Sequence, residues 1–148
     1  MSLLPTIHAS AVLTGPRAVL IRGPAGSGKS ELAWALIQAA DTGLIRFARL
    51  VGDDRVHVEA AHGRLLVRPA ETLAGLIEVR GLGIRRLPFE PLAAVGLLVD
   101  LGVADAERLP ASSESSLAGI TLPRLAVAPG RNAILMLIAA LRTADSGG

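Results

Sequence analysis

Residues 23–30 read GPAGSGKS, the Gly-x-x-x-x-Gly-Lys-Ser pattern of a phosphate-binding loop. Before it, RAVLIRG (17–23) is an apolar run with β-branched residues that closes on glycine, and it predicts a buried strand. After it, SELAWALIQAA (30–40) repeats apolar residues at Leu32, Leu36, Ile37 and Ala40, a helical spacing. The loop thus joins a strand to a helix, as its chemistry requires. Glycines let successive backbone N–H groups converge on phosphate oxygens, and the helix adds its positive N-terminal end. Gly23, Pro24, Ala25, Gly26, Ser27, Gly28, Lys29 and Ser30 are the candidate nucleotide-binding residues, with Lys29 on the β- and γ-phosphates of ATP and the Ser30 hydroxyl on Mg²⁺.

Composition sharpens the reading of Lys29. The 148-residue chain has fifteen basic residues, and Lys29 is the only lysine among them. Arginine serves everywhere except at the position where a compact ammonium fits a phosphate cradle. The formal net charge is +2, while the isoelectric point is about 10.4. With no tyrosine, no cysteine and one lysine, little titrates between neutrality and the arginines, so the high isoelectric point does not describe a basic surface. There is no arginine run comparable to a nucleic-acid stripe, and the only aromatic residues are Trp34, Phe47 and Phe89, which argues against a nucleic-acid partner. The longest apolar stretches, such as 132–141, fall well short of the roughly 20 residues of a membrane span, so no membrane partner is expected. MSLLPTIHAS (1–10) has no basic region leading into an apolar run and does not read as a signal peptide. The lack of cysteine fits a cytoplasmic protein. Length predicts one domain over 1–148.

The rest of the chain reads as an α/β domain with a mixed β-sheet and helices. ARLVGDDRVHVEA (48–60) predicts two strands with a turn at Gly52, and His62-Gly63 a hairpin turn into RLLVRP (64–69). GLIEVRGLGIRRL (75–87) reads as a strand running into a glycine-rich loop, and AVGLLVDL (94–101) as a buried strand. Residues 104–119 are small, polar and rich in breakers, and predict a loop. LPRLAVAPG (122–130) is a strand with a Pro-Gly stop, followed by a helix over 132–142 with Asn132 as its N-cap.

A phosphate loop needs a partner carboxylate. Two stretches offer one: LVGDD (50–54), with Asp53 and Asp54, and GLLVD (96–100), the ordinary Walker B shape ending in Asp100. In extended backbone Asp53 and Asp54 point to opposite sides. Glu78 and Arg80 are two apart on the strand before the glycine loop, hence on one face, and suit either a Mg-phosphate site or an exposed ion pair. Arg131 follows a flexible Pro-Gly and is an anion-binding corner or a helix entry. On residue type alone His8 in IHASAV reads as structural rather than catalytic.

In chain order these stretches resemble one family, the catalytic domain of bacterial HPr kinase/phosphorylase. IHASAV is similar to its opening His-Gly strand, GPAGSGKSE to its Walker A with the following Glu, and RLVGDDRVHV to its Arg-Leu-Val-Ala-Asp-Asp segment. GLIEVRGLGI resembles the family signature most closely, AERLP a loop carrying Asp-Arg-Leu-Gly, and AVAPGRNAILMLIAA its late Pro-Gly-Arg-Asn loop and helix. The resemblance spans residues 7 to about 142, and the signature and late loop are more specific than the Walker A.

The resemblance implies a P-loop fold related to phosphoenolpyruvate carboxykinase. It implies an ATP- and Mg²⁺-dependent kinase that phosphorylates a serine of the phosphocarrier HPr or a homologue, regulates the phosphotransferase system, and in some members removes that phosphate again. Carried over by motif, Asp53 is the general base, Lys29 binds phosphate, Ser30 and Glu78 hold Mg²⁺, and His8 and Arg108 are further catalytic residues. Residues 126–131 match the loop tied to dephosphorylation. A homo-oligomer is implied as well. There are departures. The family usually carries an N-terminal domain that these residues lack, as in short forms resembling those of α-proteobacteria, and Ala128 stands where its late loop has an arginine. That puts the reverse reaction in question more than the forward one. Competing readings are a small-molecule P-loop kinase using Asp100 and a nucleotide-sensing module without catalysis.

Overall fold

Among the residues described by the computed structural model, 5–103 and 114–143, there are eleven strands, two α-helices and a 3-10 turn at Glu71–Leu73. The strands are β1 (Thr6–Ile7), β2 (Ser10–Leu13), β3 (Ala18–Arg22), β4 (Arg49–Gly52), β5 (Val56–Ala61), β6 (Arg64–Pro69), β7 (Leu76–Val79), β8 (Gly83–Arg86), β9 (Ala93–Leu101), β10 (Glu114–Leu117) and β11 (Ile120–Val127). Helix α1 is Lys29–Asp41 and α2 is Ala133–Arg142.

β3 carries Ala18 and Leu20 to one face and Val19 and Ile21 to the other, and all four are buried. A strand apolar on both faces belongs in the middle of a covered sheet. The main sheet accordingly runs β1-β5-β6-β9-β3-β2-β4, with β3 parallel to β9. Along its other edge β9 pairs first with β6, at residues 93–94, and then with β11, at residues 98–101. β10 extends β11, and β7 and β8 form a separate two-stranded sheet.

One face of the main sheet is covered by helices. Leu32, Ala33 and Leu36 of α1 and Leu137 of α2 pack with Val19, Ile21, Leu50 and Val99. The other face is covered by the sheet's own curl, as β5 and β6 bring Val56, Leu65 and Val67 over Leu20, Val51 and Leu98. A fully buried leucine such as Leu20 contributes about 1.5–3 kcal/mol. No helix among the described residues is long and apolar enough to cross a membrane.

Most expected elements form near their predicted places, and β6 spans the predicted 64–69. His62 and Gly63 take φ of 53° and 77°, the left-handed pair that a two-residue hairpin needs. Asn132 caps α2 by accepting the Leu135 N–H at 3.3 Å. Three expectations are corrected. The turn after β4 is not at Gly52, which is the last strand residue, but at Asp53–Arg55. Residues 75–87 are not one strand and a loop but the hairpin β7–β8, closed where Gly81 and Gly83 have φ of 83° and 103°. Within the expected loop 104–119, residues 114–117 form β10, because β11 offers them a pairing edge; residues 104–113, including Arg108, lie outside the described residues.

Candidate functional site

The loop begins where β3 ends, at Arg22, and α1 starts at Lys29 with Gly28 in the left-handed region at φ 98°. Gly26 is also left-handed, at φ 80°, and a Cβ built on it would meet nothing within 4 Å, so the mouth of the loop is open. At its base the loop is tight. A Cβ on Gly23 would come within 2.5 Å of Ser27 Oγ and 3.1 Å of the Leu101 carbonyl at the end of β9. Ser27 Oγ is buried and has no hydrogen-bond partner among the described residues. Lys29 Nζ donates to the carbonyls of Gly23 at 2.8 Å and Pro24 at 3.2 Å, which curls the ammonium over its own loop.

β4 delivers the carboxylate. β2 and β4 pair with Ala11 opposite Gly52, so Ser10, one residue back, and Asp53, one residue on, meet. Ser10 is 0% and Asp53 3% exposed, and they are the two buried polar residues among those described. Ser10 Oγ donates to Asp53 Oδ1 at 2.6 Å. Ser30 Oγ lies 2.8 Å from Oδ1 and 2.9 Å from Oδ2, and the Glu78 backbone N–H donates to Oδ2 at 3.2 Å. Three donors from three elements therefore converge on one carboxylate, whose oxygens offer about four lone-pair sites. Asp54 takes φ 68°, a left-handed turn rather than the expected extended backbone, and is exposed where Asp53 is buried.

These groups face one cavity of about 810 Å³. Its wall includes the phosphate loop, His8, Asp53, Asp54, Glu78 and Arg80. Of the expected site residues, His8, Lys29, Ser30, Asp53 and Glu78 are thus brought together, while Arg108 lies outside the described residues. Arg80 pairs with Glu31 at 3.5 Å, both side chains being largely exposed. Residues 128–131 form the turn into α2, and among the described residues they are not part of the cavity wall. No group of three or more His, Cys, Asp or Glu among the described residues is arranged to hold a metal.

Asp100 is elsewhere and already engaged. It sits opposite Arg22 in the β3–β9 register, where Arg22 Nε and Nη2 reach its two oxygens at 2.7 and 2.9 Å, and Arg124 Nε reaches Oδ2 at 2.5 Å. Burial works to raise the Asp100 pKa, but hydrogen bonds and charge from the two guanidinium groups outweigh it and hold the carboxyl below its ordinary value. This carboxylate closes an ion network across three strands and is not part of the cavity wall among the described residues.

Sequence reading missed Ser10. Its signal was slight: a small hydroxyl residue two positions after His8, on an extended segment whose alternate residues share a face.

Comparison with known proteins gives consistent matches. The family model for the HPr Serine kinase C-terminal domain matches residues 3–87, more than half of the 148 residues. The HPr kinase/phosphorylase of Geobacillus thermodenitrificans is 36% identical over 139 residues, covering 83% of this chain and 43% of that protein. That of Streptococcus thermophilus is 49% identical over 67 residues, covering 45% of this chain and 19% of that protein. Among solved structures, the Hpr(Ser) kinase/phosphatase of Coxiella burnetii superposes with a TM-score of 0.72 at 26% identity, covering 93% of this chain and 88% of that one. The fold is therefore the HPr kinase C-terminal domain fold, a P-loop fold of the phosphoenolpyruvate carboxykinase type, as expected. The chain spans less than half the length of these curated relatives.

Proposed function

The chain belongs to the HPr serine kinase C-terminal domain family, and from that premise we propose that it is an ATP-dependent protein-serine kinase acting on HPr or a homologous phosphocarrier. The observation that carries the proposal is the buried Asp53 carboxylate, 2.8 Å from the hydroxyl of the phosphate-loop serine and on the wall of the same cavity. A kinase whose acceptor is a hydroxyl needs a positioned base beside its phosphate cradle.

The residues fit the roles. The glycines of the loop leave its mouth open to triphosphate oxygens, and Lys29 supplies the local positive charge. Asp53 takes the proton of the attacking serine hydroxyl as the oxygen–phosphorus bond forms and ADP departs. His8 and Glu78 border the same space; in this reading His8 is a further catalytic group and Glu78 a metal ligand. The Ser30 hydroxyl and the Glu78 carboxylate are hard oxygen donors of the kind Mg²⁺ takes. One or two protein ligands suffice when the remaining ligands are water and phosphate, so a cluster of three carboxylates is not needed. When bound, the ion neutralises charge on the transferring phosphoryl group. Arg108 would join the site from outside the described residues.

Regulation of a phosphotransferase system and a cytoplasmic setting follow from this substrate. Self-association is part of the same reading. A reverse, phosphate-consuming activity is weakened by Ala128 at the late loop. The test is direct: incubate the chain with γ-labelled ATP, Mg²⁺ and a purified HPr homologue. Label on a serine of the homologue supports the proposal; tight ATP binding without transfer overturns it.

A further inference from the structure

We infer that Ser10 is a positioning residue for Asp53, fixing the carboxylate through Oδ1 so that it meets the acceptor hydroxyl in one orientation. The inference rests on the proposed kinase reading for its catalytic consequence, and on geometry alone for the clamp itself.

Ser10 is fully buried, and a buried hydroxyl without a partner is costly. Its partner is Asp53 Oδ1 at 2.6 Å, within the range of a charge-assisted O–H···O⁻ bond. The other two donors to Asp53 serve different ends. Ser30 sits on the phosphate loop and is the group expected to turn toward a cation. The Glu78 N–H, at 3.2 Å, holds Oδ2 alone. When Ser30 turns, Ser10 is the side-chain donor that remains. A carboxylate held through both oxygens cannot rotate about its Cβ–Cγ bond, whereas one held by a single backbone amide can.

The strand geometry makes the clamp rigid. Ser10 opens β2, whose next residue, Ala11, pairs with Gly52 just before Asp53, and a register irregularity follows between Ala11 and Val12. β2 is also paired on both sides, to β3 and to β4, which fixes the backbone that carries the hydroxyl. His8 lies two residues upstream on the cavity wall, so one short segment supplies both a wall group and the support for the base.

The experiment uses the full chain with γ-labelled ATP, Mg²⁺ and a purified HPr homologue, well below the unfolding temperature. Ser10→Ala is expected to lower kcat about tenfold, the scale of one lost charged hydrogen bond, with KM for ATP within about twofold of wild type. Ser10→Thr, which keeps the hydroxyl, is expected to restore most of kcat. Loss of stability in Ser10→Ala with unchanged kcat overturns the positioning role, and so does an equal loss in Ser10→Thr. A second measurement needs no activity. In urea unfolding, Ser10→Ala and Asp53→Ala should be non-additive, the first costing clearly less once Asp53 is gone. Additive effects overturn the clamp. A wild-type chain that transfers no phosphate overturns the kinase reading instead, and the unfolding cycle still decides the clamp.

Discussion

Ser30 and Asp53, 23 residues apart, share one proton donor between two oxygens: the Ser30 hydroxyl lies 2.8 and 2.9 Å from Oδ1 and Oδ2 of Asp53. The contact ties the start of α1 to the turn after β4, and so brings the phosphate loop beside the carboxylate. Asp53→Asn keeps the shape but removes the base. Phosphoryl transfer to the HPr homologue should fall at least about 100-fold, in the range of a lost general base, while ATP binding by calorimetry stays near wild type. In the same assay Asp100→Asn should retain most of its transfer activity; the reverse ranking of the two variants would move the working carboxylate from Asp53 to Asp100.

Asp100 has a separate signature in acid. Its carboxyl is held below its ordinary value of 3.8 in the folded chain by Arg22 and Arg124, which outweigh the opposing effect of burial. A depressed folded pKa adds stability above the unfolded value and loses it as pH falls toward the folded one. Urea midpoints should therefore drop on acidification below about pH 4, with part of that slope absent in Asp100→Asn. Parallel slopes for the two proteins would sink this assignment. Above pH 5 Asp100→Asn should still be the less stable of the two, because it leaves two guanidinium groups without a counter-charge.

Lys29 donates to two carbonyls of its own loop and lies on the cavity wall. Lys29→Met keeps the stem and removes the charge. ATP affinity should weaken by about 10- to 100-fold, the equivalent of one hydrogen bond to a charged group, and calorimetry reads it. The fold should survive, so an unfolded variant would point to a structural role that the geometry does not suggest.

Gly28 sits at φ 98°, and a Cβ there would meet only Glu31 Oε2 at 3.8 Å. Space is available but the backbone region is not. Gly28→Ala should destabilise the chain by about 1–2 kcal/mol through conformational strain and distort the loop. Equal urea midpoints for Gly28→Ala and wild type would mean that the loop is not held in this conformation.

Much of this was legible in the sequence where the determinants are local. The β3–loop–α1 unit follows from a glycine pattern between a strand run and a helical run, and the His62-Gly63 hairpin and the Asn132 cap are written in adjacent residues. What escaped is set by pairing across distance. Glu114–Leu117 has a loop-like composition, but β11 gives its backbone a hydrogen-bonding partner, and on an exposed edge that outweighs propensity. Residues 75–87 read as one strand because Gly81 and Gly83 look like a loop after it rather than a turn within it. Asp100 kept the shape of a metal ligand until Arg22 and Arg124 were seen against it from neighbouring strands. Ser10 and Asp53 are 43 residues apart, and only the antiparallel register of β2 and β4 joins them.

The curled position of Lys29 has a chemical corollary. It is the only ε-amine in the 148 residues, so an acylating reagent has a single side-chain target, and that target stands in the phosphate cradle. Protection of Lys29 from acylation by added nucleotide would report occupancy of the site by mass alone, with no label, no substitution and no other lysine to confuse the count.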